Sequence, residues 1–261
     1  LGIAPPELIV DPAMTAPNAA PSPATKRRPA FLVRVVRRLW RLAVDPPYRN
    51  LTLLRFSRRR GVFQPFNDTR ANRYPKVFSF VQARLGAESD VRILSYGCST
   101  GEEVFSIREY FPRAIIKGID INAANIAVCR RRLKQTRDAG ITFEVANTTR
   151  EEPTAAYDAI FCMAVFRHGD LGSPGVTRCD HRIRFEDFAL ALEDLKRCLK
   201  PGGLLAIVHS NFRLCDAPVG AAFETVLCVK FSDRAKKTPL FGPDNMLMAG
   251  VEYRDAVFRK K

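Results

Sequence analysis

The chain has 261 residues, 46% of them apolar, enough for one full α/β core plus a tail. Its net charge of +15 is unevenly placed: residues 26–60 hold twelve Lys/Arg against one Asp, and residues 1–25 hold two acids, which leaves only +6 beyond residue 60. That distribution argues against nucleic-acid binding by the folded domain, and the absence of any apolar run near ~20 residues argues against a membrane span.

In chain order, residues 1–30 are rich in Pro and Ala without a periodic apolar face, and read as a disordered leader. They lack the basic-then-apolar order of a secretory signal, and Met14 is a candidate native start. Residues 31–60 form a basic arm. Within it "FLVRVVRRLWRLAV" (31–44) puts Arg34, Arg37, Arg38 and Arg41 within one arc of about 100° on a helix, the other residues all being apolar. Such a helix either lies peripherally on an anionic membrane face or packs on its own domain with its arginines in water.

From residue 91 strands and helices alternate. "VRILSY" (91–96), "AIIKGID" (114–120), "ITFEVAN" (141–147), "YDAIFCMAV" (157–165) and "GGLLAIVHS" (202–210) read as strands. Helices are expected at 102–111, closed by Pro112, at 123–140, ending at Gly140, and at 184–200, stopped by Pro201-Gly202-Gly203. Residues 223–231 and 253–260 add an antiparallel pair. The expected architecture for 61–261 is therefore a seven-stranded, mostly parallel sheet with helices on both faces and an antiparallel C-terminal strand. The seven scattered cysteines, odd in number and without C-x-x-C spacing, fit a reducing, cytoplasmic setting. No metal site is expected; Cys179-Asp180-His181 has no answering ligand pair.

Ligands of open parallel sheets sit beyond the strand carboxyl ends. The first strand runs into Gly97-Cys98-Ser99-Thr100-Gly101, where the glycines allow close backbone approach and a helix start favours an anionic group. The second ends in Asp120, a carboxylate placed to accept from a ribose diol, and the third in Asn147-Thr148, able to bond an adenine edge. Ser99 and Val104 replace the second and third glycines of the dinucleotide fingerprint, which favours a nucleoside-bearing cofactor without a pyrophosphate. The same pentapeptide matches G-x-S-x-G of serine hydrolases with Ser99 as nucleophile, but no upstream oxyanion loop and no marked triad histidine accompany it.

"ILSYGCSTGEE", "GIDIN", "YDAIFCMAVF" and "LKRCLKPGGLLAIVHS", in that order, resemble the motifs of class I S-adenosylmethionine (SAM) methyltransferases, whose fold is Rossmann-like. The Ser-Thr-Gly-Glu-Glu loop, the "FC" after the fourth strand, "HS", the closing "FRK" and "NDTRANR" (67–73) resemble the chemotaxis-receptor (CheR-type) branch. The resemblance implies SAM as cofactor, with Gly97, Cys98, Ser99 and Gly101 at its methionine end. It implies Glu102 or Glu103 at the amino group, Arg73 at the carboxylate, and Asn67 and Thr69 closing that side. Asp120 would hold the ribose, Ile121 flank the adenine, Asn147 and Thr148 meet its edge, and Cys162 and Met163 floor the pocket.

The likeness breaks at "MAVFRHGD", where Ala164 and Arg167-His168 replace the Asn and the Ile-Tyr pair of the chemotaxis enzymes. A hydroxyl or amine acceptor must lose a proton and a carboxylate need not, so His168 is the candidate general base. The expected reaction is methyl transfer to an O or N acceptor, a small molecule or a sugar moiety of a glycan or lipid. Protein carboxyl methylation and a non-catalytic SAM-binding module are the alternatives.

Overall fold

The computed structural model describes residues 31–44, 49, 52, 61–64, 69–88, 90–230 and 238–261. The leader and most of residues 45–60 lie outside the described residues, as does Asn67. The chain divides into two units, Leu1–Trp40 and Arg41–Lys261. Helix α1 (Phe31–Val44) forms over the stretch whose arginine spacing predicts it.

From residue 75 the second unit runs through α2 (Pro75–Leu85), β1 (Arg92–Tyr96), α3 (Glu102–Tyr110), β2 (Ile115–Asp120), α4 (Ala123–Thr136) and β3 (Ile141–Val145). It continues with β4 (Tyr157–Met163), α5 (Phe185–Cys198), β5 (Leu199–Val208), β6 (Phe223–Cys228) and β7 (Asp255–Lys260). One seven-stranded sheet results, in the order β3-β2-β1-β4-β5-β7-β6. Strands β1 to β5 pair in parallel, while β7 runs antiparallel to both β5 and β6.

The order reverses after β3, since the chain returns to the other side of β1 to lay down β4. Right-handed crossovers in opposite directions put their helices on opposite faces. Accordingly α3 and α4 share a core with Ile93, Phe161 and Ala206, whereas α5 packs with Leu94, Ile160 and Leu205 on the other face. Both faces of the central strands are buried, so they are nearly continuously apolar.

Three details differ from the sequence expectation. Helix α2 was not anticipated, although Pro75 at its start and Gly86 at its end (φ 84°) bracket it, with Val77, Phe78 and Val81 buried. Helix α4 stops at Thr136 rather than Gly140. Arg137 turns left-handed (φ 53°), and Asp138 accepts from the Gly140 N–H (2.9 Å) while Arg108 clamps its other oxygen (2.7 Å). Strand β5 starts at Leu199, opposite Tyr157, with Pro201 and Gly202 in a bulge (Gly202 φ 73°) instead of in a connecting turn.

Gly118 in the middle of β2 lets the layers close, because a Cβ there would sit 2.8 Å from the Phe143 ring and 3.0 Å from Val104. Gly118→Ala should therefore cost about 1–3 kcal/mol, the usual range for overpacking. Urea unfolding measures it, and an unchanged midpoint would show that Phe143 and Val104 yield freely.

Candidate active site

At the reversal between β1 and β4 lies a cavity of about 500 Å³, within the size range of small-ligand sites. Its wall takes Tyr96 and Gly97 from the end of β1, Asp120 from β2, Asn147 from beyond β3 and Met163 from β4.

The β1–α3 loop is held from two sides. The N–H groups of Gly97 and Cys98 both donate to the Ile119 carbonyl (2.8 and 2.9 Å). Gly97 has φ 78°, and a Cβ there would fall 2.5 Å from Val165 on the opposite wall, so both conformation and space demand glycine. Asp120 ties the loop to the next elements. Its Oδ2 accepts from the Ser99 N–H (2.9 Å), and its Oδ1 from the Asn122 N–H (2.8 Å) and Asn125 Nδ2 (3.2 Å). Burial raises its pKa, and these three donors oppose that rise.

Adjacent glutamates at the start of α3 diverge, as about 100° per residue requires. Glu102 turns out to Arg132 (2.8 Å) and Thr100 (2.6 Å). Glu103 turns into the cavity, where Ser95 Oγ donates to it (2.7 Å). Burial pushes its pKa up to about 8, against the pull of the Ser95 hydrogen bond and the Arg73 charge.

Thr69, Arg73, Gly97, Cys98, Ser99, Glu103, Asp120, Ile121, Asn147 and Met163 all line the cavity, as the sequence suggests. Five expected residues do not. Glu102 is engaged by Arg132. Gly101 serves the fold: it has φ 94° at the start of α3, and a Cβ would press on Cys129 Sγ at 3.1 Å. Thr148 donates to Asp194 on α5 (3.1 Å). Cys162 sits in the core on the α5 side, because alternate residues of β4 face opposite ways and only Met163 reaches the wall. His168 is buried beside the cavity, where its N–H donates to Asn211 Oδ1 (2.8 Å) and its Nδ1 accepts from the Asp170 N–H (3.3 Å).

The sequence reading missed Arg70, Tyr74, Arg167 and Asp170 on the wall. Arg167, next to His168 in sequence, lines the cavity. His209 lies near this region; its ring tilts against Tyr74 (5.8 Å). Burial and the charges of Arg167 and Arg73 push its pKa down to about 4, so it is neutral at pH 7.

Ser99 Oγ, Asn122 Nδ2 and Gln64 Oε1 on the cavity wall are buried and have no hydrogen-bond partner among the described residues. A ligand rich in hydroxyl, amino and carboxylate groups would satisfy them, which is how SAM fits this donor set. Among the described residues Ser99 Oγ has no hydrogen-bonded base, the partner that a serine nucleophile needs.

The profile of a family described as a methyltransferase domain matches residues 87–237. The chain belongs to that family. By family it carries a methyltransferase domain. A trans-aconitate 2-methyltransferase of Acidovorax sp. (strain JS42) is 31% identical over 125 residues, 48% of this chain and 40% of that protein. A malonyl-[acyl-carrier protein] O-methyltransferase of Bacillus anthracis is 31% identical over 91 residues, 35% of this chain and 33% of its own length. The match thus spans well under half of these relatives. Among solved structures, phosphoethanolamine N-methyltransferase 2 of Haemonchus contortus with SAM has a TM-score of 0.40 at 21% identity, over 54% of this chain and 29% of that one. The YcgJ protein of Bacillus subtilis has a TM-score of 0.39 at 15% identity, over 51% and 50%. The chemotaxis-receptor branch gains no support from these matches.

The pKa of Glu103 fixes a pH dependence. It lies above the usual carboxylate value of 4.5, so the folded chain keeps a proton that the unfolded chain has released between these two values. Stability should then fall as pH rises from about 4.5 to about 8, by a few kcal/mol as an order of magnitude. Glu103→Gln should flatten that slope in chemical unfolding at pH 5.5 and pH 8. An equal slope in both proteins would place the titration elsewhere.

Proposed function

We propose that the chain transfers the methyl group of SAM to a carboxylate oxygen of a small anionic molecule. The observation that carries this reading is that Arg70, Arg73 and Arg167 face the same cavity as the β1–α3 loop, while the imidazole of His168 stays off its wall. Arginine matches carboxylate geometry with paired donors. The curated relatives are named for trans-aconitate and for malonyl groups, both carboxylic acids, which favours the same acceptor chemistry. A chemotaxis-type glutamate acceptor shares that chemistry, but the likeness to a relative named for trans-aconitate favours a small molecule.

When bound, SAM supplies an electrophilic methyl on a sulfonium, the C–S electrons leaving with sulfur. The chain's part is to position and to exclude water. Glu103 is placed to meet the ammonium of the methionine end, and Arg73 its carboxylate. Asp120 offers its oxygens to the ribose, and Ile121 and Asn147 flank the base. Arg167, with Arg70, would hold the acceptor carboxylate across from the sulfonium. No proton must leave the acceptor, so no base is needed.

Screening small di- and tricarboxylic acids against polyols and amines for S-adenosylhomocysteine release tests this reading. A carboxylic acid should turn over, with Arg167→Ala raising KM for it by at least about tenfold, the loss of a charge-assisted pair. SAM affinity should stay within a few-fold. His168→Ala should retain turnover. Activity on polyols or amines alone, with His168→Ala slower by 10²–10⁴ and a lost acid limb, would instead establish base catalysis on a hydroxyl or amine.

A further inference from the structure

Outside the methyl-transfer site, α1 is the element whose side chains fit nothing in the reaction. Its large apolar side chains are exposed: Val36 by 60%, Leu39 by 61% and Trp40 by 64%. Its cations Arg37, Arg38 and Arg41 fall on the opposite side at helical spacing, and the element holds no acid. We propose that α1 lies in the surface of an anionic lipid bilayer, apolar side down.

Length decides between lying and crossing. Fourteen residues rise about 21 Å, short of the ~20 residues that a bilayer core needs, and among the described residues no helix is long and apolar enough to cross. An isolated helix of this length is marginal in water, so it needs a surface to cover its apolar side. Charge decides between surfaces. A helix docked on protein has no need of a polar side made only of cations. The neighbourhood is equally one-sided, with twelve Lys/Arg against one Asp in residues 26–60. Anionic headgroups complement that charge, and the arginine stems reach them while the apolar side sinks to the acyl boundary. Trp40 falls towards the border of the apolar side, the depth where indole rings settle. Nucleic acid would answer the arginines and leave Val36 and Leu39 uncovered.

Trp40 is the only tryptophan in the chain, so its fluorescence reports on this helix alone. The full chain should be titrated with phosphatidylcholine–phosphatidylglycerol vesicles. The expected result is a blue shift of emission and protection from iodide, absent with phosphatidylcholine alone. Replacing Arg37, Arg38 and Arg41 together by Gln should weaken partitioning on the order of a hundredfold, at roughly fivefold per cation. Leu39→Asp should abolish the shift with the cations kept, and SAM affinity should be unchanged in both variants. The proposal is overturned by no shift, by an equal shift with neutral vesicles, or by full binding of Leu39→Asp. It is equally overturned if emission is already blue and unresponsive, which means packing against protein, or if a single-stranded RNA oligomer produces the same shift.

Discussion

The carboxylate of Asp120 is the constraint on which the site depends. It closes β2 and accepts three hydrogen bonds, from the backbone of the β1–α3 loop and from the first residues around α4. Deprived of those donors, a carboxylate this buried would be costly to keep charged. With them, it fixes where Ser99 and Asn122 lie and leaves Ser99 Oγ and Asn122 Nδ2 buried on the cavity wall without a partner among the described residues. The fold supplies the rest of the geometry. Because the strand order reverses beside β1, the neighbouring helices diverge to opposite faces and a crevice opens at the strand ends. Gly97 lets the loop approach Val165 across that crevice.

Around this scaffold lie Glu103, Asp120 and Asp170 together with three arginines. At Glu103 burial favours the proton. Burial, reinforced by the charges of Arg167 and Arg73, keeps His209 neutral. Acids and arginines thus share one cavity wall, on which the proposed anionic acceptor rests through Arg70 and Arg167.

Much of this was legible in the sequence where local chemistry and fold agree. The apolar runs of β1, β2, β4 and β5 and the glycine-bounded loop gave sheet, loop and Asp120 together. Features set by partners distant in sequence were not legible. Helix α4 ends early because Arg108, thirty residues away in sequence, claims Asp138. Thr148 and Glu102 look like site residues in their motifs, yet Asp194 and Arg132 engage them. Side-chain parity on β4, which sends Cys162 inward and Met163 to the wall, could have been read from strand alternation. The place of Arg167 could not, since it depends on the turn after β4 packing against Asn211.

The central claim is that this cavity takes SAM with Glu103 against its ammonium. Near pH 7 a carboxyl titrating at about 8 is mostly protonated, and it must ionise to pair with a cation. Calorimetric titration with SAM in two buffers of different ionisation enthalpy should then show release of close to one proton per SAM bound. Glu103→Gln should bind without that release. Binding with no proton linkage in the wild type, or with the same linkage in Glu103→Gln, would contradict the account.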